Sequence, residues 1–207
     1  CASEFEALTP YYYSTYETEN EAIPDNSNKA VVLGSGPIRI GQGIEFDYCS
    51  VHAAWSLQKR KIDSIFINSN PETVSTDFDT SDRLYFEPID QESVFDILEN
   101  EGTSNSFPST IVQFGGQTAI NLTKNLEKVK YPISGTSAKS TELASDRGYF
   151  EELTSSIGVP QPPAGTSLNF EEAKKIAKKI NYPVIVRPSF VLGGMAMNII
   201  DNEDDLK

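Results

Sequence analysis

Short apolar runs alternate with longer amphipathic stretches along most of the chain. Apolar runs that end in glycine or polar residues are typical of buried parallel strands. Residues 91–101 place Val94, Ile97 and Leu98 on one helical face. The alternation predicts an α/β fold with a doubly wound parallel sheet. The predicted strands are 30–33, 64–67, 84–86, 110–113, a short one near 133, 183–187 and a run through 200. One predicted helix ends at about residue 60, and the others span 91–101, 117–128, 138–157 and 169–180.

Two regions depart from this alternation. The first 27 residues show neither period and are expected to be a tail or linker that packs on something else. A boundary between domains is predicted near residues 135–137. In the helix predicted after the proline-rich turn, Asn169 and Glu172 resemble a capping box.

Composition narrows the classes of function. The 207 residues carry a formal net charge of −13, which argues against nucleic-acid binding through a basic surface. Two cysteines form no disulfide framework, so a reducing compartment is expected. The sequence has neither a signal peptide nor an apolar run near the ~20 residues that span a bilayer. A first residue other than Met and an interrupted last element suggest a piece of a longer chain.

The glycine-rich loop at residues 34–43 is the first candidate site. A dinucleotide fingerprint fails, because Arg39 stands where the third glycine belongs and no acid follows the second strand. A Walker A loop fails as well, because Gln42 replaces the lysine that reaches the phosphates. Two interpretations remain open: a tight backbone turn, or a small-anion site bracketed by Arg39 and Glu45.

Other candidates follow predicted strands. The polar loop at 70–79 carries Glu72, Asp77 and Asp79, which could bind metal or an arginine, or could be a solvated loop. Arg187 ends an apolar strand and is expected to pair with an anion, either a phosphate or a carboxylate. The only histidine, His52, lies in a predicted helix and favours a structural role, and neither a zinc cluster nor a Ser–His–Asp triad can be assembled.

Four stretches together resemble the large chains of carbamoyl phosphate synthetases, and the resemblance covers nearly the whole chain. Two of them are Asn-Pro-Glu-Thr-Val-Ser-Thr-Asp from residue 70 and Val-Arg-Pro-Ser-Phe-Val-Leu-Gly-Gly from residue 186. The others are residues 1–5 with 13–17, and residues 32–48. Met195 departs from the family pattern, where arginine often follows the two glycines, and residues 102–108 look like a short insertion.

The resemblance implies a domain order and an activity. Residues 1–27 would end a helical oligomerisation domain, residues 28–137 would form a Rossmann-like pre-ATP-grasp domain, and residues 138–207 would begin an ATP-grasp domain. The family is an ATP-dependent ligase with two homologous halves, and this piece resembles the start of the second, which phosphorylates carbamate to carbamoyl phosphate. The parent enzyme would use bicarbonate, ammonia or glutamine, and two ATP for arginine and pyrimidine biosynthesis.

The resemblance also assigns residues, cofactors and partners. Arg187, Gly193, Gly194 and Arg147 match ATP-binding positions, whereas Arg39, Gly43, Glu45 and Glu72 match positions near a passage for carbamate. The implied cofactors are ATP with Mg²⁺ or Mn²⁺, the metal ligands lying outside this segment. The implied partners are a glutamine amidotransferase small subunit and further copies of the large chain, without nucleic acid or membrane, in the cytoplasm or a eukaryotic organelle.

Two alternatives remain. The chain could belong to another ATP-grasp ligase, such as a biotin carboxylase-like protein, although the loop at 70–77 argues against this. It could also be a non-catalytic nucleotide-binding module, and the 207 residues alone are expected to be inactive.

Overall fold

The chain folds into two compact units, residues 1–138 and 139–207, in a computed structural model. The structure describes residues 11–38, 43, 45–71, 73–77, 79–103, 106–188 and 196–206. Among these residues, no helix is long and apolar enough to cross a membrane.

A parallel β-sheet forms the centre of the first unit. Its strands are β1 Tyr11–Tyr12, β2 Lys29–Leu33, β3 Asp63–Ile67, β4 Arg83–Tyr85 and β5 Ser109–Ile111. Their order in the sheet is β1-β4-β3-β2-β5, and every neighbouring pair is parallel. Beyond β5, Ile133 forms a parallel bridge with Thr110, which confirms a short extended segment there.

Helices cover both faces of this sheet because side chains alternate along each strand. The helices described in this unit are α1 Glu45–Gln58, α2 Gln91–Glu101, α3 Gly116–Ile120 and α4 Thr123–Lys128, and a 3₁₀ turn spans Val74–Thr76. Val31 and Ile65 point into the larger apolar cluster, together with residues of α2, α3 and α4. Val32 and Phe66 point to the opposite face, where they meet Ala54 of α1.

The N-terminal segment contributes a strand that the sequence did not predict. Tyr11 and Tyr12 pair with Leu84 and Tyr85 at the edge of the sheet. Ala22, farther along the same segment, is buried in the core. The described part of this segment therefore packs on the sheet of this chain.

The described residues of the second unit form three helices and a small antiparallel pair of strands. A single helix over 138–157 was predicted, and this is wrong: Asp146 interrupts it, and its side chain caps the next helix by accepting a hydrogen bond from the Tyr149 amide. The elements are α5 Ala138–Ser145, α6 Arg147–Ser156, α7 Phe170–Ile180, β6 Val184–Val186 and β7 Asn198–Ile200, followed by a 3₁₀ turn at Asp204–Leu206.

Helix α7 begins with half of the predicted capping box. The Asn169 side chain accepts a hydrogen bond of 3.0 Å from the Glu172 amide. The Glu172 carboxylate lies 3.5 Å from the amide of Leu168, not of Asn169. Lys174 and Lys178 of this helix form ion pairs with Glu203.

Candidate functional site

The carboxyl edge of the parallel sheet is the candidate site of the first unit. Strand order reverses between β2 and β5, because β3 and β4 lie on one side of β2 and β5 lies on the other. The helices that follow β2 and β5 therefore lie on opposite faces of the sheet, α1 on one and α3 on the other. In open α/β sheets such a switch point is where a crevice for ligands forms.

Glycine is required where the chain leaves β5. A Cβ atom at Gly115 would lie 2.3 Å from the carbonyl oxygen of Gly34 and 2.7 Å from that of Leu33. No side chain fits at such distances from backbone atoms. The loops after β2 and β5 are thus in direct backbone contact, which supports the tight-turn interpretation of the start of the glycine-rich loop.

The side chain of Asn68 lies against this turn. A Cβ at Gly34 would be 2.6 Å from Asn68 Cγ, and the amide of Gly36 donates a 3.0 Å hydrogen bond to Asn68 Oδ1. A dinucleotide fold would present this space and its backbone N–H groups to a pyrophosphate. Here Asn68 fills the space beside Gly34 and accepts the hydrogen bond of the Gly36 amide. This gives a structural reason for the failure of the dinucleotide fingerprint.

Hydrogen bonds of serine, threonine and backbone groups order the loop after β3. Ser75 is fully buried, and its amide donates to Asp47 Oδ1 at 3.3 Å. The hydroxyl of Thr80 donates to the carbonyl of Val74 at 2.6 Å. The acidic residues Asp77 and Asp79 remain exposed. The described part of the loop is therefore ordered by serine, threonine and backbone groups, with its acids facing solvent.

The structure describes only part of the predicted carbamate passage. Gly43 is half-buried just before α1, and Glu45 is the first residue of that helix. Arg39 and Glu72 lie outside the described residues, as does the side chain of Glu45. The passage stays a prediction.

The predicted phosphate-binding arginines lie in the second unit. Arg187 directly follows β6. The apolar character of that strand favours a buried arginine, but Arg187 is exposed. Arg147 is half-buried at the first position of α6. Gly193, Gly194 and Met195 lie outside the described residues. The ATP-binding assignments of these residues stay predictions.

The sequence did not single out the residues that organise the carboxyl edge. Asn68, Ser75 and Asp47 are all buried and are linked in series by hydrogen bonds. The one available signal was the position of Asn68 directly after a strand, where a dinucleotide-binding chain would place its acid.

Solved structures share this fold. The biotin carboxylase domain of 2-oxoglutarate carboxylase from Hydrogenobacter thermophilus has a TM-score of 0.61 at 23% identity, covering 88% of this chain and 39% of that chain. Pyruvate carboxylase from Rhizobium etli has a TM-score of 0.61 at 18% identity, covering 86% of this chain and 16% of that chain. At these identities the likeness concerns the fold alone.

Two family models match in succession along the chain. The carbamoyl phosphate synthase preATP-grasp domain matches residues 26–143, and the ATP binding domain of the carbamoyl-phosphate synthase L chain matches residues 146–207. The fold is therefore a Rossmann-like pre-ATP-grasp domain followed by the beginning of an ATP-grasp domain, as predicted. The chain belongs to the family of carbamoyl phosphate synthase large chains.

Relatives confirm the resemblance over the full length of the chain. The carbamoyl phosphate synthase large chains of Archaeoglobus fulgidus and Thermomicrobium roseum are each 56% identical to it, covering 100% of this chain and 19% of those proteins. That of Methanothrix thermoacetophila is 54% identical, covering 100% of this chain and 20% of that protein. The chain thus spans about a fifth of the length of these relatives.

Proposed function

We propose that this chain is part of an ATP-dependent ligase that phosphorylates carbamate to carbamoyl phosphate, in the second half of a carbamoyl phosphate synthase large chain. The observation that carries the proposal is the match in order and spacing through both domains, at 54–56% identity. The biotin carboxylase-like alternative is supported by the shared fold alone, at 18–23% identity in the two solved structures compared above.

The two units would have different roles in this function. The first unit would act as a scaffold, because Asn68 already fills the space beside Gly34 and bonds the Gly36 amide at the switch point. The second unit would contact nucleotide phosphates through Arg187 and Arg147, together with the backbone of Gly193 and Gly194. A guanidinium suits this task because its planar fork of donors matches phosphate oxygens.

ATP with Mg²⁺ would supply the phosphoryl group and neutralise its developing charge. Arg187 is suited to bind the phosphates, because its side chain is exposed and can reach a ligand. The metal ligands would lie outside this segment, as the family resemblance implies. Mn²⁺ is proposed as a substitute for Mg²⁺.

The remaining proposals concern the whole enzyme. Arg39, Gly43, Glu45 and Glu72 would line the route by which carbamate arrives. A glutamine amidotransferase small subunit would supply ammonia, further large chains would complete an oligomer, and the product would serve arginine and pyrimidine biosynthesis in the cytoplasm or an organelle.

Arg187 offers the sharpest test of the phosphate assignment. In the full-length protein that carries this segment, Arg187→Ala should lower ATP formation from ADP and carbamoyl phosphate by about 100-fold, because a charge-assisted contact to the transferred group is lost. Arg187→Lys should restore part of that activity. The measurement is the initial rate of ATP formation at saturating carbamoyl phosphate.

Arg60→Ala is the matched control, because Arg60 is also an exposed arginine but lies just after α1 in the first unit. It should leave the rate unchanged. Equal rates in the Arg187→Ala and unsubstituted enzymes would contradict the assignment of Arg187. A full-length protein that makes no carbamoyl phosphate from bicarbonate, ammonia and ATP would contradict the proposed function itself.

A further inference from the structure

Residues 11–25 form an extended segment, the N-terminal strap, along the β4 edge of the sheet. Tyr11 and Tyr12 have strand geometry, and the rest of the strap contains neither helix nor strand. Within residues 11–25, Ala22 alone is buried and Tyr12 is half-buried, whereas the other residues are exposed. The strap therefore buries too little apolar surface for hydrophobic contacts alone to hold it on the sheet.

Tyr12 anchors the beginning of the strap. Its ring centroid lies 5.2 Å from that of Tyr85 and 5.2 Å from the guanidinium carbon of Arg83. Its carbonyl oxygen accepts a 2.6 Å hydrogen bond from the amide of Phe86. Because β1 is the outermost strand, these contacts can break while the ladder of β4, β3 and β2 stays intact.

Polar groups hold the remainder of the strap. The amide of Ser14 donates a hydrogen bond to the carboxylate of Glu87. Asn100 of α2 contacts the strap twice: its Oδ1 accepts from Asn20 Nδ2 at 2.9 Å, and its Nδ2 donates to the carbonyl of Ala22 at 2.9 Å. Each of these bonds replaces a hydrogen bond to water, so each adds only a small net stabilisation to the docked strap.

Negative charge opposes the docking of the strap. A gap of about 470 Å³ between the strap and α2 is bordered by Glu17, Glu19 and Glu21 of the strap and by Asp96 of the helix. Among the described residues, none that borders this gap is a lysine or an arginine. The carboxylates repel one another across the gap, and the repulsion weakens as salt screens it.

Two cations lie close to the strap, but other acids already pair with them. Lys29 and Arg83 both form ion pairs with the buried Glu101. Lys29 also lies 3.4 Å from Asp25 at the end of the strap. This exposed ion pair favours docking and weakens as salt rises, which is the opposite of the effect of salt on the carboxylates. The sign of the salt effect on docking therefore shows which interaction dominates.

We propose that the N-terminal strap is a salt-dependent latch. It docks on the sheet edge when salt screens its carboxylates, and it detaches as a unit at low ionic strength while β2, β3 and β4 stay paired. Segments with few buried apolar contacts open at a lower free energy than the whole domain, and the strap is such a segment. Detachment lets the strap move about residues 26–28, which have no helix or strand. The inference does not depend on the proposed function.

Hydrogen exchange of the full-length protein tests the latch at about 20 mM and about 500 mM KCl. Exchange in peptides that cover the strap, and at the amide of Phe86, should slow by about 5-fold at the higher concentration, because exchange follows the fraction of opened strap. Amides of β2 and β3 should exchange equally at both concentrations. Faster or unchanged strap exchange at high salt, or one common rate for the strap and β3, would overturn the inference.

A double variant, Glu17→Gln with Glu19→Gln, tests the carboxylates directly. It should slow strap exchange at low salt by about 5-fold and lose most of the salt dependence, because less charge remains to be screened. The matched control is Glu127→Gln with Glu152→Gln, which removes the same charge from exposed acids that do not border the gap. The control should exchange like the unsubstituted protein. Equal exchange in the two double variants would contradict the role of the strap acids.

Tyr12→Leu tests the anchor of the strap. It removes the ring contacts with Tyr85 and Arg83, so strap exchange should rise by about 10-fold while β2 and β3 keep their rates. Tyr16→Leu is the matched control, because Tyr16 is a fully exposed tyrosine of the same segment. Its exchange should equal that of the unsubstituted protein. If both leucine variants exchanged alike, or if Tyr12→Leu accelerated β3 as much as the strap, the strap would not open as a separate unit.

Discussion

At the scale of single residues, Glu101 is the most deeply buried charge among the described residues of the first unit. Its side chain is 0% exposed and meets Lys29 at 2.8 Å and Arg83 at 3.0 Å. It also accepts a hydrogen bond from the Tyr85 hydroxyl. Burial and the adjacent Glu101 carboxylate raise the pKa of Tyr85 well above its ordinary value, so the phenol stays protonated and can donate at neutral pH.

This cluster lies at the amino edge of the sheet, because Lys29 begins β2 and Arg83 begins β4. Arg83 also donates to the carbonyl of Ile23 at 3.0 Å, which ties the N-terminal segment to the sheet. The cluster is on the edge opposite the candidate site. Its geometry therefore fits a structural role.

Glu101→Gln should destabilise the chain by about 3 kcal/mol, because two buried cations lose their counter-charge. The measurement is the free energy of unfolding from a denaturant titration. The single tryptophan, Trp55 of α1, reports on the first unit through its fluorescence.

Asp96→Asn provides a reference in the same helix, since Asp96 is an exposed acid of α2. Its unfolding free energy should stay within about 0.5 kcal/mol of the unsubstituted value. If Glu101→Gln behaved like this exposed substitution, the cluster would not contribute as its burial indicates.

At the scale of elements, α2 links the core to the Glu101 cluster. It presents Val94, Ile97 and Leu98 to the sheet and ends at Glu101. The side chain of Asp90 caps its first turn by accepting a 2.9 Å hydrogen bond from the amide of Ser93. The cap satisfies a backbone donor that has no partner within the helix.

Asp90→Ala should lower the unfolding free energy by about 1 kcal/mol, because the cap is lost while the packed face of α2 is unchanged. The same Trp55 fluorescence titration measures it. Asp90→Ser should recover most of the loss, since serine also accepts at this position. Equal stability of the alanine and serine variants would show that the cap is unimportant here.

At the scale of the whole molecule, a net charge of −13 coexists with a proposed binding site for ATP phosphates. A negative protein repels a phosphate at long range, but screening limits this repulsion to about 8 Å at physiological ionic strength. Local arginines can therefore decide the interaction. Their arrangement needs the rest of the nucleotide site, and this chain spans about a fifth of its relatives.

The 207-residue chain alone should release no ADP from ATP in the presence of carbamate, because the two arginines supply only part of the stabilisation that phosphoryl transfer needs. ADP release is followed with a coupled assay, and the full-length enzyme serves as the positive control. Carbamate-dependent ADP release by the isolated chain would refute this expectation.

Local patterns in the sequence determined much of the fold. The cores of β2 and β3 were predicted because each is a continuous apolar run, and α2 was predicted to its observed bounds because its apolar face repeats at helical spacing. The family resemblance rests likewise on contiguous stretches. The helix N-cap at Asp146 was not predicted from the sequence. It divides the helix predicted over 138–157 into α5 and α6.

Tertiary structure decided what depends on residues far apart in the chain. The strand Tyr11–Tyr12 exists because it pairs with Leu84 and Tyr85, and no periodic pattern marks such a short edge strand. Asn68 reads as an ordinary loop residue until folding places Gly36 and Ser75 against it. The sequence thus determined the family and the α/β alternation of the main strands and helices. Burial and long-range hydrogen bonds, which only the folded chain creates, decided which side chains organise the carboxyl edge.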